Sequence, residues 1–149
     1  MSLIDLVKEN VVKVPLEAND KPDVLRELVR ILADAGEIDD FDAVLQAIRE
    51  REKKGSTGLE KGIAVPHCKS PAVTTLKFAM GIAPQGIDFG AMDKQPSKLF
   101  FLLVAAPDQA CLHVSALAEI AKLTRSKAFC NALLAAENPK DVVELMQGG

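Results

Sequence analysis

Residues 99–106 read Leu99-Phe100-Phe101-Leu102-Leu103-Val104-Ala105-Ala106, the longest apolar run in the chain. A helix needs about 20 apolar residues to cross a membrane, so this run predicts no membrane insertion. A strand that is apolar at every position, rather than at alternate positions, is typical of the centre of a sheet covered on both faces. The run therefore predicts a central, fully buried β-strand.

Shorter segments on both sides of this strand predict a mixture of strands and helices. Further strands are predicted over 11–16, 63–65 and 76–83, with turns at Gly86, Gly90 and Asp93. Apolar residues recur at helical spacing in two segments before residue 55 and in three after residue 107. The pattern predicts an α/β fold, a mixed β-sheet sandwiched between α-helices in a single compact domain over residues 1–149. The strand order stays open.

The expected helix boundaries come from capping residues. Asp20 offers an N-cap with Pro22 in the first turn, and Gly36 offers a stop. The later boundaries are Asp39 or Asp40 and Gly55 for the second helix, Asp108 for the third, Ser126 for the fourth, and Pro139 or Lys140 for the fifth.

Composition excludes several classes of function. Aromatic residues make up only 4% of the chain, with no Trp and no Tyr, and the net charge is −3. A nucleic-acid module would need a basic face or exposed aromatic residues for base stacking, so no nucleic-acid partner is expected. The N-terminus lacks the pattern of a signal peptide, and three cysteines without framework spacing suit reduced thiols. A cytoplasmic protein is expected.

The two histidines, His67 and His113, are the residues best suited to chemistry. His67 follows Pro66, which has no amide proton and should end the pairing of the short strand before it. His67 would then be presented at an edge of the sheet. Taken alone, a histidine at a strand end is more often structural or merely exposed.

The surrounding segment favours a functional role for His67. Residues 51–67 read Arg-Glu-Lys-Lys-Gly-Ser-Thr-Gly-Leu-Glu-Lys-Gly-Ile-Ala-Val-Pro-His. This segment resembles the phosphorylation site of type 2 enzyme IIA of the bacterial phosphotransferase system, the mannitol/fructose and nitrogen-regulatory class. In that family an Arg-Glu pair closes a helix, a Ser-Thr-Gly turn follows, and a Gly-x-Ala-x-Pro-His strand delivers the histidine. Departures are Glu60-Lys61, where the family often has Gly-Asn, and Cys68, where it often has Gly.

The resemblance implies a phosphoryl carrier and a set of site residues. His67 would accept the phosphoryl group, Arg51 would stabilise its charge, and Ser56 and Thr57 would donate hydrogen bonds to it. His113 matches the family's second histidine and would support the transfer. These residue types suit the chemistry, because neutral imidazole is a good nucleophile and arginine can bind two phosphoryl oxygens at once. No cofactor is implied.

Three functions of such a carrier stay open. As a regulator or as an uptake component, the protein would take phosphate from an HPr-like phosphohistidine carrier protein. A regulatory protein of the nitrogen-type branch would use the phosphorylation state of His67 to control binding to target proteins, and a domain of this length without an enzyme IIB-like cysteine loop favours that role. A sugar-uptake component would instead pass the phosphoryl group to a cysteine of enzyme IIB. The third candidate is a sensory module of a longer transcription factor or permease.

The histidines and cysteines also raise the question of a metal site. If His67 and His113 meet, Cys68 and Cys111 could complete a set of ligands that suits zinc. Adjacent residues on a strand point to opposite faces, so His67 and Cys68 would not readily bind one ion. No metal is expected.

Overall fold

The structure, a computed structural model, describes residues 2–148. Two short 3₁₀ turns, Leu3–Leu6 and Glu9–Val11, precede the first strand. The strands are β1 (Val12–Lys13), β2 (Ile63–Ala64), β3 (His67–Lys69), β4 (Lys77–Ile87) and β5 (Ser97–Ala105). The helices are α1 (Lys21–Asp34), α2 (Phe41–Lys53), α3 (Ala110–Thr124), α4 (Lys127–Ala135) and α5 (Pro139–Gly148).

The five strands form one mixed sheet with β5 near its middle. Strand β4 lies between β1 and β5, pairing with β1 in parallel and with β5 in antiparallel orientation. The short strands β2 and β3 both pair in parallel with the other side of β5, one after the other. The predicted central strand is therefore confirmed, and β3 begins with His67 at an edge of the sheet.

Helices cover both faces of the sheet, which explains why β5 is apolar throughout. Phe100, Leu102 and Val104 pack into a core with α1 and α2. Their neighbours Leu103 and Phe101 point the other way, into a second core with α3, α4 and α5. The predicted sheet between helices is confirmed. Within residues 2–148, no helix is long and apolar enough to cross a membrane.

Most of the predicted helix boundaries are confirmed, and one is wrong. Asp20, Asp40 and Ser126 accept hydrogen bonds from backbone amides at the starts of α1, α2 and α4. Asp108 does not cap α3. The amide of Gln109 instead bonds the carbonyl of Ala106 in a tight turn after β5, so the helix begins one residue later than a cap at Asp108 requires.

The predicted strands are present, but their lengths differ. The strand predicted over 11–16 is in register with β4 only at Val12–Lys13, because Pro15 has no amide to donate to a ladder, and one further bond joins the Leu16 amide to the Ile82 carbonyl. The strand predicted over 76–83 runs on to Ile87. Gly86, predicted as a turn, lies inside β4 beside a break in register, which a positive φ of 78° accommodates.

Candidate phosphoryl-accepting site

His67 is held in one tautomer by the backbone. Its Nδ1 lies 2.7 Å from the carbonyl oxygen of Val65. A carbonyl oxygen can only accept a hydrogen bond, so Nδ1 carries the proton and Nε2 keeps its lone pair. The Pro66 carbonyl accepts the amide of Leu103 in β5, whereas the amide of Val65 donates to Thr57 and its carbonyl faces the His67 ring. Half-buried His67 therefore presents Nε2 as a nucleophile.

His113 lies against His67. The two rings meet edge to face, with their centroids 5.2 Å apart. His113 is 6% exposed on the first turn of α3, and its Nε2 is buried without a hydrogen-bond partner among the described residues. A buried ring nitrogen without a partner is costly unless something binds it at another stage of the cycle. The two histidines thus form one site.

The environment keeps His113 neutral. Burial lowers the pKa of His113 from 6.5 to about 4, and the Lys69 ammonium, like the His67 ring whenever that ring is protonated, acts in the same direction. A neutral imidazole carries one N–H donor and one acceptor. His113 can therefore donate a hydrogen bond to an anion near His67 without contributing a full charge.

The lowered pKa of His113 predicts a loss of stability in acid. Between pH 6.5 and pH 4 the unfolded chain binds a proton that the folded chain does not, so the free energy of unfolding falls as the pH falls. The contribution of neutral His113 to the free energy of unfolding is complete above pH 6.5 and is lost by about pH 4. We expect it to amount to about 1–3 kcal/mol, since one pKa unit corresponds to about 1.4 kcal/mol.

Denaturant unfolding of the wild type and of His113→Gln at pH 7 and pH 4.5 measures this contribution. The variant should lose less stability than the wild type over that interval, because glutamine does not titrate. Carboxyl groups titrate equally in both proteins and cancel in the difference. Equal losses in the two proteins would show that His113 keeps an ordinary pKa.

Arg51 lies beside the histidines in the last turn of α2. Its Nη1 donates a hydrogen bond to the carbonyl of Gly55 at 3.0 Å, which leaves its other donors uncommitted among the described residues. A cleft of about 460 Å³ is lined by Arg51, His67 and His113 among others. A second cleft, of about 240 Å³, is lined by Arg51, Ser56, Thr57 and His67 among others. Three of the predicted site residues therefore share the first cleft and four share the second, with Arg51 and His67 in both.

The two hydroxyl residues of the predicted site donate elsewhere in this structure. Ser56 Oγ donates to the carbonyl of Phe89 at 2.8 Å and accepts from the amide of Gly58 at 3.0 Å. The hydroxyl of Thr57 donates to the carboxylate of Glu52. A direct bond from either hydroxyl to a phosphoryl group would require it to leave its present acceptor. Their predicted role in binding the phosphoryl group stays a prediction.

Cys68 follows His67 in β3 and borders the first cleft, but its side chain is buried. It packs into the core on the side of α1 and α2, and its burial raises the pKa of the thiol to about 12. It is therefore an uncharged core residue at neutral pH. Over residues 2–148 the structure shows no group of three or more His, Cys, Asp or Glu side chains arranged to hold a metal ion.

Sequence reasoning missed two features of the site. The carbonyl of Val65 fixes the tautomer of His67, and no property of a valine side chain indicates that role. Glu52 is buried and bonded to Thr57, although it stands in a run of charged residues that reads as solvent-exposed. The available signal for Glu52 was its place in the Arg-Glu pair of the matched segment.

Comparison with known sequences gives a family match over most of the chain. Residues 5–148 match the family described as phosphoenolpyruvate-dependent sugar phosphotransferase system, EIIA 2. The chain is 32% identical over 148 residues to a nitrogen regulatory protein of Bradyrhizobium diazoefficiens, covering 98% of this chain and 95% of that one. It is 31% identical over 146 residues to the fructose-specific EIIABC component of Bacillus subtilis, covering 98% of this chain. The match spans 23% of that longer protein.

Comparison with solved structures gives the same fold. The nitrogen regulatory protein IIA-Ntr of Neisseria meningitidis superposes with a TM-score of 0.88 at 22% identity, covering 97% of this chain and 98% of that one. At that identity the likeness concerns the fold alone. It confirms the mixed sheet between helices as one compact unit.

Proposed function

This chain belongs to the EIIA 2 family of the phosphoenolpyruvate-dependent sugar phosphotransferase system, and from that premise we propose that Nε2 of His67 carries the phosphoryl group. The coarse function, an EIIA-type phosphoryl carrier, follows from the family. The single observation that supports His67 as the carrier is the 2.7 Å contact between its Nδ1 and the carbonyl of Val65. That contact leaves one nitrogen free to attack, in a cleft lined by Arg51 and His113.

Acceptance proceeds as an in-line transfer from a phosphohistidine carrier protein. The lone pair of Nε2 forms a bond to phosphorus while the N–P bond of the donor breaks, and the donor nitrogen leaves with that electron pair. The proton on Nδ1 of His67 stays in place, and the Val65 carbonyl stabilises the positive charge that the ring acquires. No proton needs to move for the step to balance.

The neighbouring residues stabilise the charge on the transferred group. Arg51 can bind two phosphoryl oxygens with parallel N–H donors, which a lysine could not do in the same plane. Neutral His113 supplies a further N–H, and its unpartnered nitrogen acquires an acceptor when the phosphoryl group arrives. Positioning and charge stabilisation are most of what phosphoryl transfer requires.

We favour a regulatory role of the nitrogen type over sugar uptake. The match to the nitrogen regulatory protein of Bradyrhizobium diazoefficiens runs over 95% of that protein. Phosphorylation of His67 would then change which target proteins bind around the cleft. Sugar uptake is the second candidate, because the fructose-specific EIIABC component is nearly as similar over the matched residues. In that case the phosphoryl group would pass to a cysteine of an enzyme IIB. The three free thiols suit the reducing cytoplasm, where either role would be carried out.

A transfer assay distinguishes the two roles. The phosphorylated protein is mixed with fructose-type and mannitol-type enzyme IIB domains from the same organism, and transfer of label to their cysteines is followed. A regulator should keep its label and should bind a target in only one of its two phosphorylation states. Rapid and complete transfer to one enzyme IIB would instead establish the uptake role.

Replacement of His113 tests its supporting role. We expect His113→Gln to fold normally and to accept a phosphoryl group on His67, but to transfer it onward at an altered rate. Glutamine keeps a donor and much of the size, while the neutral ring that contacts His67 is lost. Single-turnover rates in both directions measure the effect. Wild-type rates combined with a drop of several degrees in Tm would make His113 a core histidine only.

A further inference from the structure

A buried carboxylate anchors the loop that leads to His67. Glu52, 8% exposed at the end of α2, accepts the amide of Thr57 at 3.1 Å and also the Thr57 hydroxyl. Its Oε1 lies 2.9 Å from Nζ of Lys21, which reaches across from the first turn of α1. One nearly buried carboxylate thus receives hydrogen bonds from three donors, of which the Lys21 ammonium remains partly exposed.

A continuous set of hydrogen bonds connects this carboxylate to the imidazole of His67. The carbonyl of Thr57 accepts the amide of Val65 at 3.0 Å. The carbonyl of Val65 in turn accepts the Nδ1 proton of His67 at 2.7 Å. Displacing Thr57 therefore displaces Val65, and displacing Val65 removes the acceptor that selects the tautomer of His67.

The rest of the loop has little freedom to compensate. The hydroxyl of Ser56 is bonded to the carbonyl of Phe89, whose buried ring lies 4.5 Å from the Lys21 ammonium. At Gly58 an added Cβ would lie 2.9 Å from Cα of Ala91, so the two backbones are already in contact. The loop is packed on one side and bonded to Glu52 at its beginning. The carboxylate is therefore the side chain that holds the amide and the hydroxyl of Thr57 itself, between two neighbours that are held by other contacts.

We infer that Glu52 is a positioning residue for phosphoryl transfer, acting on His67 through the loop between them. Lys21 contributes to the same positioning by pairing with Glu52, because a buried carboxylate is costly unless it is paired. Neither residue touches the phosphoryl group in this account. The inference rests on the proposed role of His67. It adds that the tautomer of His67 depends on the ion pair of Glu52 and Lys21.

The alternative is that Glu52 only stabilises the fold. In that case, removing it would lower the free energy of unfolding but leave the folded molecules with a normal His67. The tautomer of the His67 ring separates the two accounts. It can be measured by ¹⁵N NMR on the unphosphorylated protein, with no phosphoryl donor present.

The decisive variant is Glu52→Ala, with Glu52→Gln as the conservative replacement. In the wild type we expect His67 to be protonated almost only at Nδ1. Glu52→Ala should give a mixture of both tautomers and a 10- to 100-fold lower limiting rate of phosphoryl acceptance, the range expected when a reacting group is misplaced. The half-saturating concentration of the phosphorylated carrier should not change, because the surface that it contacts is intact. Glu52→Gln should recover part of the rate, since an amide oxygen can still accept the Thr57 amide.

The chain offers a matched control at the opposite edge of the sheet. Glu27 also accepts backbone amides, those of Glu17 and Ala18, and lies 2.7 Å from the ammonium of Lys13 on β1. Glu27→Ala removes the same kind of carboxylate and should lower Tm. It should leave the His67 tautomer and the rate of acceptance unchanged.

If Glu52→Ala does not fold, Glu52→Gln and Lys21→Met carry the test, because both keep the loop bonded at Thr57. Lys21→Met should shift the tautomer in the same direction by a smaller amount. A wild-type tautomer and limiting rate in every folded variant would overturn the inference. A shifted tautomer in a protein whose wild type accepts no phosphoryl group would instead leave the positioning device intact and contradict the proposed function.

Discussion

Replacing His67 by alanine should abolish phosphoryl transfer to this protein. The variant loses the only imidazole whose second nitrogen is held by a backbone carbonyl within residues 2–148. Removing the nucleophile of an enzyme that forms a covalent intermediate can cost on the order of 10⁶-fold in rate, and here no other group would carry the phosphoryl group, so we expect no detectable label. Incubation with a phosphorylated carrier protein and quantification of acid-labile, base-stable label measures the effect.

The His67→Ala experiment has a built-in control in the second histidine. His113→Gln should still become labelled under the same conditions, which shows that the carrier protein is active. Circular dichroism and Tm should show that His67→Ala remains folded, since His67 is only half-buried and its loss leaves β3 paired to β5. Label of normal intensity on the His67→Ala protein would refute the assignment of the nucleophile.

The second large effect is expected at Arg51. Arg51→Ala should lower the single-turnover rate of acceptance on the order of 10²-fold, the typical cost of removing one preorganised donor to a developing charge. Arg51→Lys should recover only part of this rate, because an ammonium keeps the charge but not the planar pair of donors. Quenching the transfer from a labelled carrier protein at successive times gives the single-turnover rates.

A matched arginine lies outside the cleft. Arg26 is exposed on α1, away from the residues that line the His67 cleft. Arg26→Ala should leave the rate unchanged, so a loss specific to Arg51→Ala reflects its position rather than net charge. Equal rates for Arg51→Ala and the wild type would reduce Arg51 to a surface residue that bonds Gly55.

The parts of the fold that were predictable from sequence are those decided by local patterns. Residues 99–106 are apolar on both faces because helices cover both sides of β5. Such a run can be recognised without knowing which helices pack on it. Asp20 and Ser126 cap their helices through bonds to residues three positions ahead. The failures depend on distant partners: β4 continues to Ile87 because β5 offers Ser97 as a partner there.

The site residues that lie in the family segment could be predicted from the sequence. The contacts that form only on folding could not. The segment gave His67 and Arg51, and the structure places both at one cleft. It could not give the acceptor for Nδ1, because that is a backbone atom. It also could not give Lys21, which comes from a helix 31 residues earlier in the chain than Glu52 and is paired with it only in the folded protein.

Two departures from the family segment, Cys68 and Lys61, affect the site in different ways. Cys68 borders the same cleft as His67, but it is buried and uncharged and so offers no thiolate there. Lys61 adopts a φ of +62°, a conformation that asparagine tolerates better, and its amide is held by Asp93 at 3.0 Å. That bond helps to keep the loop in place without the usual asparagine.

The most direct test of the account is the position of the phosphoryl group in the phosphorylated protein. The protein, labelled with ¹⁵N in its histidines, is phosphorylated by the carrier protein and studied by ³¹P and ¹⁵N NMR. We predict one phosphoryl group on Nε2 of His67, with the proton retained on Nδ1. A phosphoryl group on Nδ1 of His67, on His113, or on a residue that is not histidine would contradict it.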